Sequence, residues 1–384
     1  MPCPRNRKLE LTVGLSVDES ENHYLDMAEQ KQKVLIIGAG LCGLTLARKL
    51  QRSGYEAKIL EARKRTGGRI ETINTADGTP IEMGATWLGA KHTALTALLE
   101  ELEIGITEQY LSDRAIYEPL STSPPQLVQL PANDAPSYRI EGGSSRLIKT
   151  LEGALLPESI IYANRVTALD FTASQVEMKT STSNRQEASY TADIVVSTLP
   201  PRLVSQTINI EPVLPADFVA IAMQTHTWMG ESIKFGFSFA EPFWRSEQLS
   251  GTLVSNVGPV NEMYDHSRDA EGRFGLKGFL SGAYARLPQN ERRELITRQL
   301  KKYYGDKMDD FLSYEDRVWS QEPYTYKPSK IGLMPHQNNG NPVYRQAFQE
   351  GRFYIAGSET ASQFPGYMDG AVRSANWVFD QIAS

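Results

Sequence analysis

The sequence predicts an α/β protein centred on a doubly wound, Rossmann-like parallel sheet, and three stretches carry that expectation. Near the start, KVLII runs into GAGLCG, a helical segment and a second apolar strand that ends at Glu61. Near the end, RFYIAGSET and GYMDGAVRSANWVFDQI repeat the order strand, turn, helix. Between them, GESIKFGFSFAEPFW (230–244) alternates like a buried strand.

Lys33 to Ile37 is a short continuous apolar run, the pattern of a strand covered on both faces of a parallel sheet. Gly38, Gly40 and Gly43 then form G-x-G-x-x-G, and LTLARKLQRSG continues as a helix before the strand AKIL. Gly38 permits the tight turn, Gly40 lets the backbone approach a pyrophosphate, and Gly43 allows the helix to pack close to the strand. Free amides at the helix start face phosphates. Glu61, about twenty residues beyond the glycines, can accept hydrogen bonds from a ribose and would repel a 2′-phosphate. The bland alternative is a strand-to-helix turn without ligand. Strand, helix, second strand and terminal acid together favour a dinucleotide site.

At the other end, Phe353 to Ala356 reads as another buried strand, Gly357 as a turn and Gly366 onward as a helix. Met368, Val372, Ala375, Phe379 and Ile382 form one continuous apolar face of that helix. In the middle, EGGSSRLIKTLEGAL predicts a capped helix starting near Ser144, while NRVTALDF and ADIVVSTLPP predict strands. NERRELITRQLKKYYGDK predicts a surface helix whose charges are solvated. In the 230–244 stretch, Ile233, Phe235, Phe237 and Phe239 share one face, and Lys234, Gly236 and Ser238 the other. A lone lysine in such a strand ordinarily faces water.

A chain of 384 residues has room for two packed domains. Its 40% hydrophobic and 22% charged residues and net charge of −6 are ordinary for a globular protein, with no charge block that asks for nucleic acid or an anionic membrane. Residues 1–30 are polar, lack the apolar run of a secretory signal and read as a flexible leader. No stretch approaches the ~20 apolar residues of a membrane span. Two cysteines are too few for a disulfide framework, and five scattered histidines show no metal-ligand spacing, so no metal and a reducing, cytoplasmic compartment are expected.

The residues after Glu61, EARKRTGGRIET and then IEMGATWLG, resemble the start of the flavin-containing amine oxidases, and the closing acid followed by GYMDGAV resembles the end of that family. The resemblance covers residues 33–90 and 140–384. It implies a non-covalent FAD in a domain of the glutathione-reductase type, assembled from residues 31–92, 138–215 and 346–384. It also implies an α+β substrate domain on a mixed sheet, from residues 93–137 and 216–345. The cofactor would lie along Gly38, Gly40, Leu41, Cys42 and Gly43, then Glu61, Ala62, Arg63, Gly68 and Arg69. Gly84, Ala85, Thr86 and Trp87 would pass the flavin ring and Val166 the adenine end. Gly357, Glu359, Gly366, Tyr367 and Met368 would complete the site, with the Tyr367 and Met368 amides toward the flavin's pyrimidine oxygen.

The family's lysine near flavin N5 corresponds to Lys234, which would then roof the flavin and favour oxygen reduction. Its two amine-aligning aromatics correspond to Tyr324 and Tyr367. Some members attach FAD through a cysteine directly before the first of these; Pro323 stands there. The short segment 91–139 departs from the family and implies a wider entrance, or one completed by a partner subunit in a homodimer. The expected reaction takes an amine to an imine and oxygen to hydrogen peroxide. The rivals are an L-amino-acid oxidase, a flavin dehydrogenase or desaturase on an apolar substrate, and a flavin-stabilised scaffold.

Overall fold

The computed structural model describes residue 1 and residues 32–384, apart from 131, 132, 183 and 330. The leader assigned to residues 1–30 lies outside the described residues except for Met1. A six-stranded sheet runs in the order Ile160–Ile161, Glu56–Leu60, Lys33–Ile37, Ile194–Ser197, Phe353–Ile355, Ala347–Phe348. All neighbours are parallel except the last pair. Chain order reverses between Lys33–Ile37 and Ile194–Ser197, the position where a parallel sheet opens a crevice at its carboxyl ends.

The alternation of Lys33–Ile37 decides what each face meets. Val34 and Ile36 enter a core with Leu44 and Leu50 of the helix Leu41–Arg52 and Val372 and Ala375 of the helix Met368–Ala383. Leu35 and Ile37 enter a second core with Leu169, Val176 and Met178 of a four-stranded sheet and Val204 of the helix Pro201–Thr207. The doubly wound expectation therefore holds for strand order, but one face is covered largely by a second sheet rather than by helices alone. On the closing helix Met368, Val372 and Ala375 are buried, while Phe379 and Ile382 pack partly buried at its end. The helix Ser144–Gly153 starts where expected. Its cap is tertiary: the Ser144 amide donates to Glu82 Oε1 at 2.7 Å.

A seven-stranded mixed sheet forms the other half, in the order Ser313–Val318, Ile233–Phe239, Phe274–Leu280, Val260–Asp265, Leu253–Ser255, Arg114–Glu118, Gln126–Gln129. One face buries Phe235, Phe237 and Leu276 against Ile296 and Leu300 of the helix Gln289–Tyr304. That helix is not merely solvated. Arg292 makes a two-pronged bond to Asp316 at 2.8 Å, and the buried Gln299 accepts from the Val260 amide at 2.7 Å. Leu95, Leu98 and Leu99 join the first core, and Phe218 and Ala222 the second, because the Leu95 amide is tied to Asp369 Oδ1 at 2.8 Å and Phe218 stacks edge-on to Tyr344 and Phe348. No helix among the described residues is long and apolar enough to cross a membrane.

Gly38 has φ +102°, and a Cβ on Gly43 would stand 2.1 Å from the Gly38 carbonyl oxygen. Gly43→Ala is therefore expected to push the helix off the strand and cost about 1–3 kcal/mol. A urea midpoint equal to that of the unmodified chain would contradict the packing argument.

Candidate active site

A cavity of about 780 Å³ runs from the glycine turn to the mixed sheet, inside the range of about 300–1,000 Å³ that small-molecule sites occupy. Every residue expected at the site lines it except Gly43 and Glu359. Gly43 is the helix-packing glycine behind the wall. Glu359 is fully buried one layer back, where Arg69 covers it.

At the turn end, Glu61 Oε2 accepts from the Ala39 amide and Oε1 from the Arg63 amide, both at 2.8 Å. The chain thus fixes the carboxylate and leaves its other lone pairs for hydroxyl groups. The amides of Leu41, Cys42 and Gly43 open a helix and have no intrahelical acceptor, so they suit an anion. Arg69 donates to Glu359 Oε1 at 2.5 Å and Oε2 at 2.8 Å, and to Ser358 Oγ at 2.9 Å. Burial opposes the Glu359 charge, yet the Arg69 charge prevails and holds the carboxyl below its ordinary range. Burial pushes the Cys42 thiol up to about 12, so no thiolate is available in the cradle. These donors and glycines fit a pyrophosphate-bridged nucleotide.

At the other end stands Lys234, 5% exposed on a strand that is buried throughout. Its ammonium donates to the Gly84 carbonyl oxygen and lies 4.9 Å from the Phe279 ring and 5.9 Å from the Trp87 ring. On the same strand face Gly236 admits Ile81, since a Cβ there would meet Ile81 at 2.4 Å. Burial pushes the Lys234 pKa down to about 8, with Glu82 opposing. Trp319 anchors the same loop by donating from Nε1 to the Met83 carbonyl at 2.8 Å.

Tyr367 lines the cavity, its ring stacked at 5.9 Å with His336, which stacks at 3.7 Å on Trp228. Its amide donates to the Phe364 carbonyl at 3.2 Å, so of the two amides expected to face a ligand, the Tyr367 one is turned away. Tyr324 and Tyr367 both line the cavity. The Tyr324 ring sits 5.5 Å from the Arg63 guanidinium, because Arg63 bonds Glu322 at 3.0 Å and Thr325 at 2.7 Å on either side of it. The rings near Lys234 are Trp87, Tyr264 and Phe279, with Trp87 and Tyr264 edge-on at 5.1 Å. Tyr264, Phe279, Trp228 and Trp319 were missed in sequence. Phe279 and its neighbour Lys277 were legible from the alternation in FGLKGFL, read as Lys234 was read.

A phosphate-suited turn is thus continuous with an aromatic chamber that a buried ammonium closes. A family model for flavin containing amine oxidoreductases matches residues 41–133 and 118–378. The chain belongs to that family. It is 24% identical to flavin-containing amine oxidase B of Canis lupus familiaris and 23% identical to that of Homo sapiens, over 90% of this chain and 84% of each relative. Among solved structures, putrescine oxidase bound to putrescine superposes with a TM-score of 0.78 at 21% identity, covering 92% of this chain and 99% of that one. Cyclohexylamine oxidase from Brevibacterium oxydans IH-35A superposes with a TM-score of 0.79 at 19% identity, covering 92% and 100%.

Proposed function

We propose that the protein is an FAD-dependent oxidase of small amines, taking an amine to an imine and oxygen to hydrogen peroxide. The observation that carries this reading is Lys234, an ammonium buried in the wall of the same cavity that holds the dinucleotide cradle. FAD, when bound, would supply the two-electron acceptor for the hydride of the amine's C–H bond and the donor to oxygen. Leu41, Cys42 and Arg69 would hold the diphosphate, Glu61 the adenosine ribose, and the Gly84–Trp87 backbone the flavin ring. FAD is non-covalent in this reading, since Pro323 stands at the family's attachment position and the Cys42 thiol is held protonated by burial.

Trp87, Tyr264, Phe279 and Tyr367 line the chamber with aromatic surface, which excludes water and favours a neutral amine over an ammonium ion that must be desolvated. No side chain has to remove a proton from carbon. The chain's contribution is orientation and a positive charge where reduced oxygen species accumulate. Among the described residues, the arginines on the cavity wall are Arg63, Arg69 and Arg165; Arg63 and Arg69 are already paired with Glu322 and Glu359. This pairing disfavours the amino-acid oxidase reading, which needs an arginine for the α-carboxylate.

The expected result is amine-dependent bleaching of the bound flavin without oxygen and release of peroxide on aeration, with an acid supernatant that keeps the yellow colour. A panel of monoamines, diamines, polyamines and amino acids identifies the substrate class. Absence of bleaching with every amine would defeat the proposal.

A further inference from the structure

Lys234 does not stand alone. In the antiparallel register Lys234 faces Phe279 and Gly236 faces Lys277, so Lys234 and Lys277 emerge diagonally on one face of the sheet. The space a Gly236 side chain would take is filled by Ile81, which closes this face beside the two lysines. Lys277 is fully buried, donates to the Thr86 hydroxyl and lies 4.1 Å from the Trp87 ring. Neither lysine makes an ion pair among the described residues.

The surroundings cannot support two ammonium ions. The facing carboxylate is Glu82, 3% exposed, whose oxygens are held by the Ser144 amide at 2.7 Å and the Thr72 hydroxyl at 3.0 Å. Arg139 and Arg268 add permanent charge nearby, while Asp265 is occupied by Trp244, Arg245 and the Ser267 amide. His266 Nε2 accepts from the Glu82 amide at 3.3 Å, which leaves that nitrogen without a proton and the ring neutral. Burial, followed by the lysine and arginine charges, also holds it neutral. Arginine does not release its proton in proteins, so a lysine must. Lys234 keeps a carbonyl acceptor, whereas Lys277 has a hydroxyl and a ring. Burial and the Lys234 charge push Lys277 well below the ordinary lysine range.

We propose that Lys277 is a positioning residue that acts through Lys234: the two amines share a single proton, and the neutral Lys277 accepts it from Lys234 and returns it. In the transfer one N–H bond of the Lys234 ammonium breaks, one forms on Lys277 Nζ, and the electron pair stays on Lys234 Nζ, so no other reactant is consumed. The face toward the cavity can thereby pass between ammonium and amine without contact with bulk water. The catalytic consequence rests on the amine-oxidase reading; the shared proton does not.

The test is a pH titration of full-length protein, without and with FAD, carrying lysine labelled with ¹³C at Cε and assigned through Lys234→Met and Lys277→Met. In the unmodified chain both resonances should move together at one midpoint well below the ~10.4 of free lysine. Lys277→Met should lower the Lys234 midpoint, because the amine that accepts its proton is gone, and Lys277→Arg should lower it further by adding a permanent charge. If Lys277→Met does not fold, Lys277→Gln takes its place with the same expected direction. An unmoved Lys234 midpoint in both the apolar or neutral variant and the arginine variant would overturn the proposal, as would two lysines that titrate separately at ordinary values. In the loaded enzyme, the pH profile of flavin reoxidation should shift in the same directions, while amine-driven reduction stays in place. A protein inert to every amine would remove the oxidase reading and leave the titration result standing. Unmoved titrations in a working oxidase would do the reverse.

Discussion

Lys234→Met is expected to slow the reaction of the reduced enzyme with oxygen by about 10²–10³-fold, the cost of deleting one preorganised charge at a reacting centre. Anaerobic reduction by amine should change far less, because in that step the lysine supplies no contact that the substituted methylene chain does not. The pH dependence carries a second signature. Burial holds the Lys234 pKa at about 8, so the oxygen step should weaken as pH rises through that value and the ammonium is lost. Amine-driven reduction runs the opposite way, since raising pH supplies more neutral amine. The product is a bell-shaped profile, and Lys234→Met should remove its alkaline limb. Stopped-flow measurement of each half-reaction separates the two. An oxygen rate that is unchanged in Lys234→Met would reduce the lysine to a packing residue.

Arg69→Met is expected to cost about 3–5 kcal/mol in unfolding free energy, because it leaves Glu359 charged and fully buried without its partner. The sign of the pH dependence should reverse with it. In the unmodified chain the Glu359 carboxyl lies below its ordinary 4.5. Its pairing therefore stabilises fully above that value, and the contribution is lost as pH falls through the depressed folded value. Without Arg69, burial is opposed only by the hydrogen bonds from Ser358 Oγ and the backbone, and as the largest influence it should raise the folded pKa above the unfolded one, so the variant should gain stability on acidification from neutral pH. Urea midpoints at several pH values decide this. A variant that loses stability in parallel with the unmodified chain would show that the pair contributes nothing specific. Glu359→Gln is the milder change, since Arg69 retains a route to solvent that Glu359 lacks.

Much of the site was legible because each part rests on a short stretch of chain. The glycine spacing of GAGLCG needs nothing beyond the turn and helix it opens. The alternation of ESIKFGFSF needs nothing beyond the strand geometry that puts Lys234 opposite the phenylalanines. The same rule applied to FGLKGFL would have exposed Lys277 and Phe279. The surroundings of Tyr324 were not legible for a different reason: they follow from Glu322 and Thr325 gripping Arg63, some 260 residues away in the chain. The docking of the helix Thr93–Glu101 was hidden likewise, since the closing helix anchors it through Asp369, some 270 residues away in the chain.

By itself the sequence determined the dinucleotide turn, the strand and helix periods, and the side of its strand on which a buried lysine emerges. All are consequences of backbone sterics and side-chain alternation acting over a few residues. Tertiary structure alone decided that Glu359 serves Arg69 from behind the wall and that the second face of the parallel sheet is covered by another sheet. It also decided that two lysines meet on one face of the mixed sheet. Those outcomes depend on which strands become neighbours and on which buried charges find partners, and such adjacency is set by the packing of the whole chain rather than by any local run of residues.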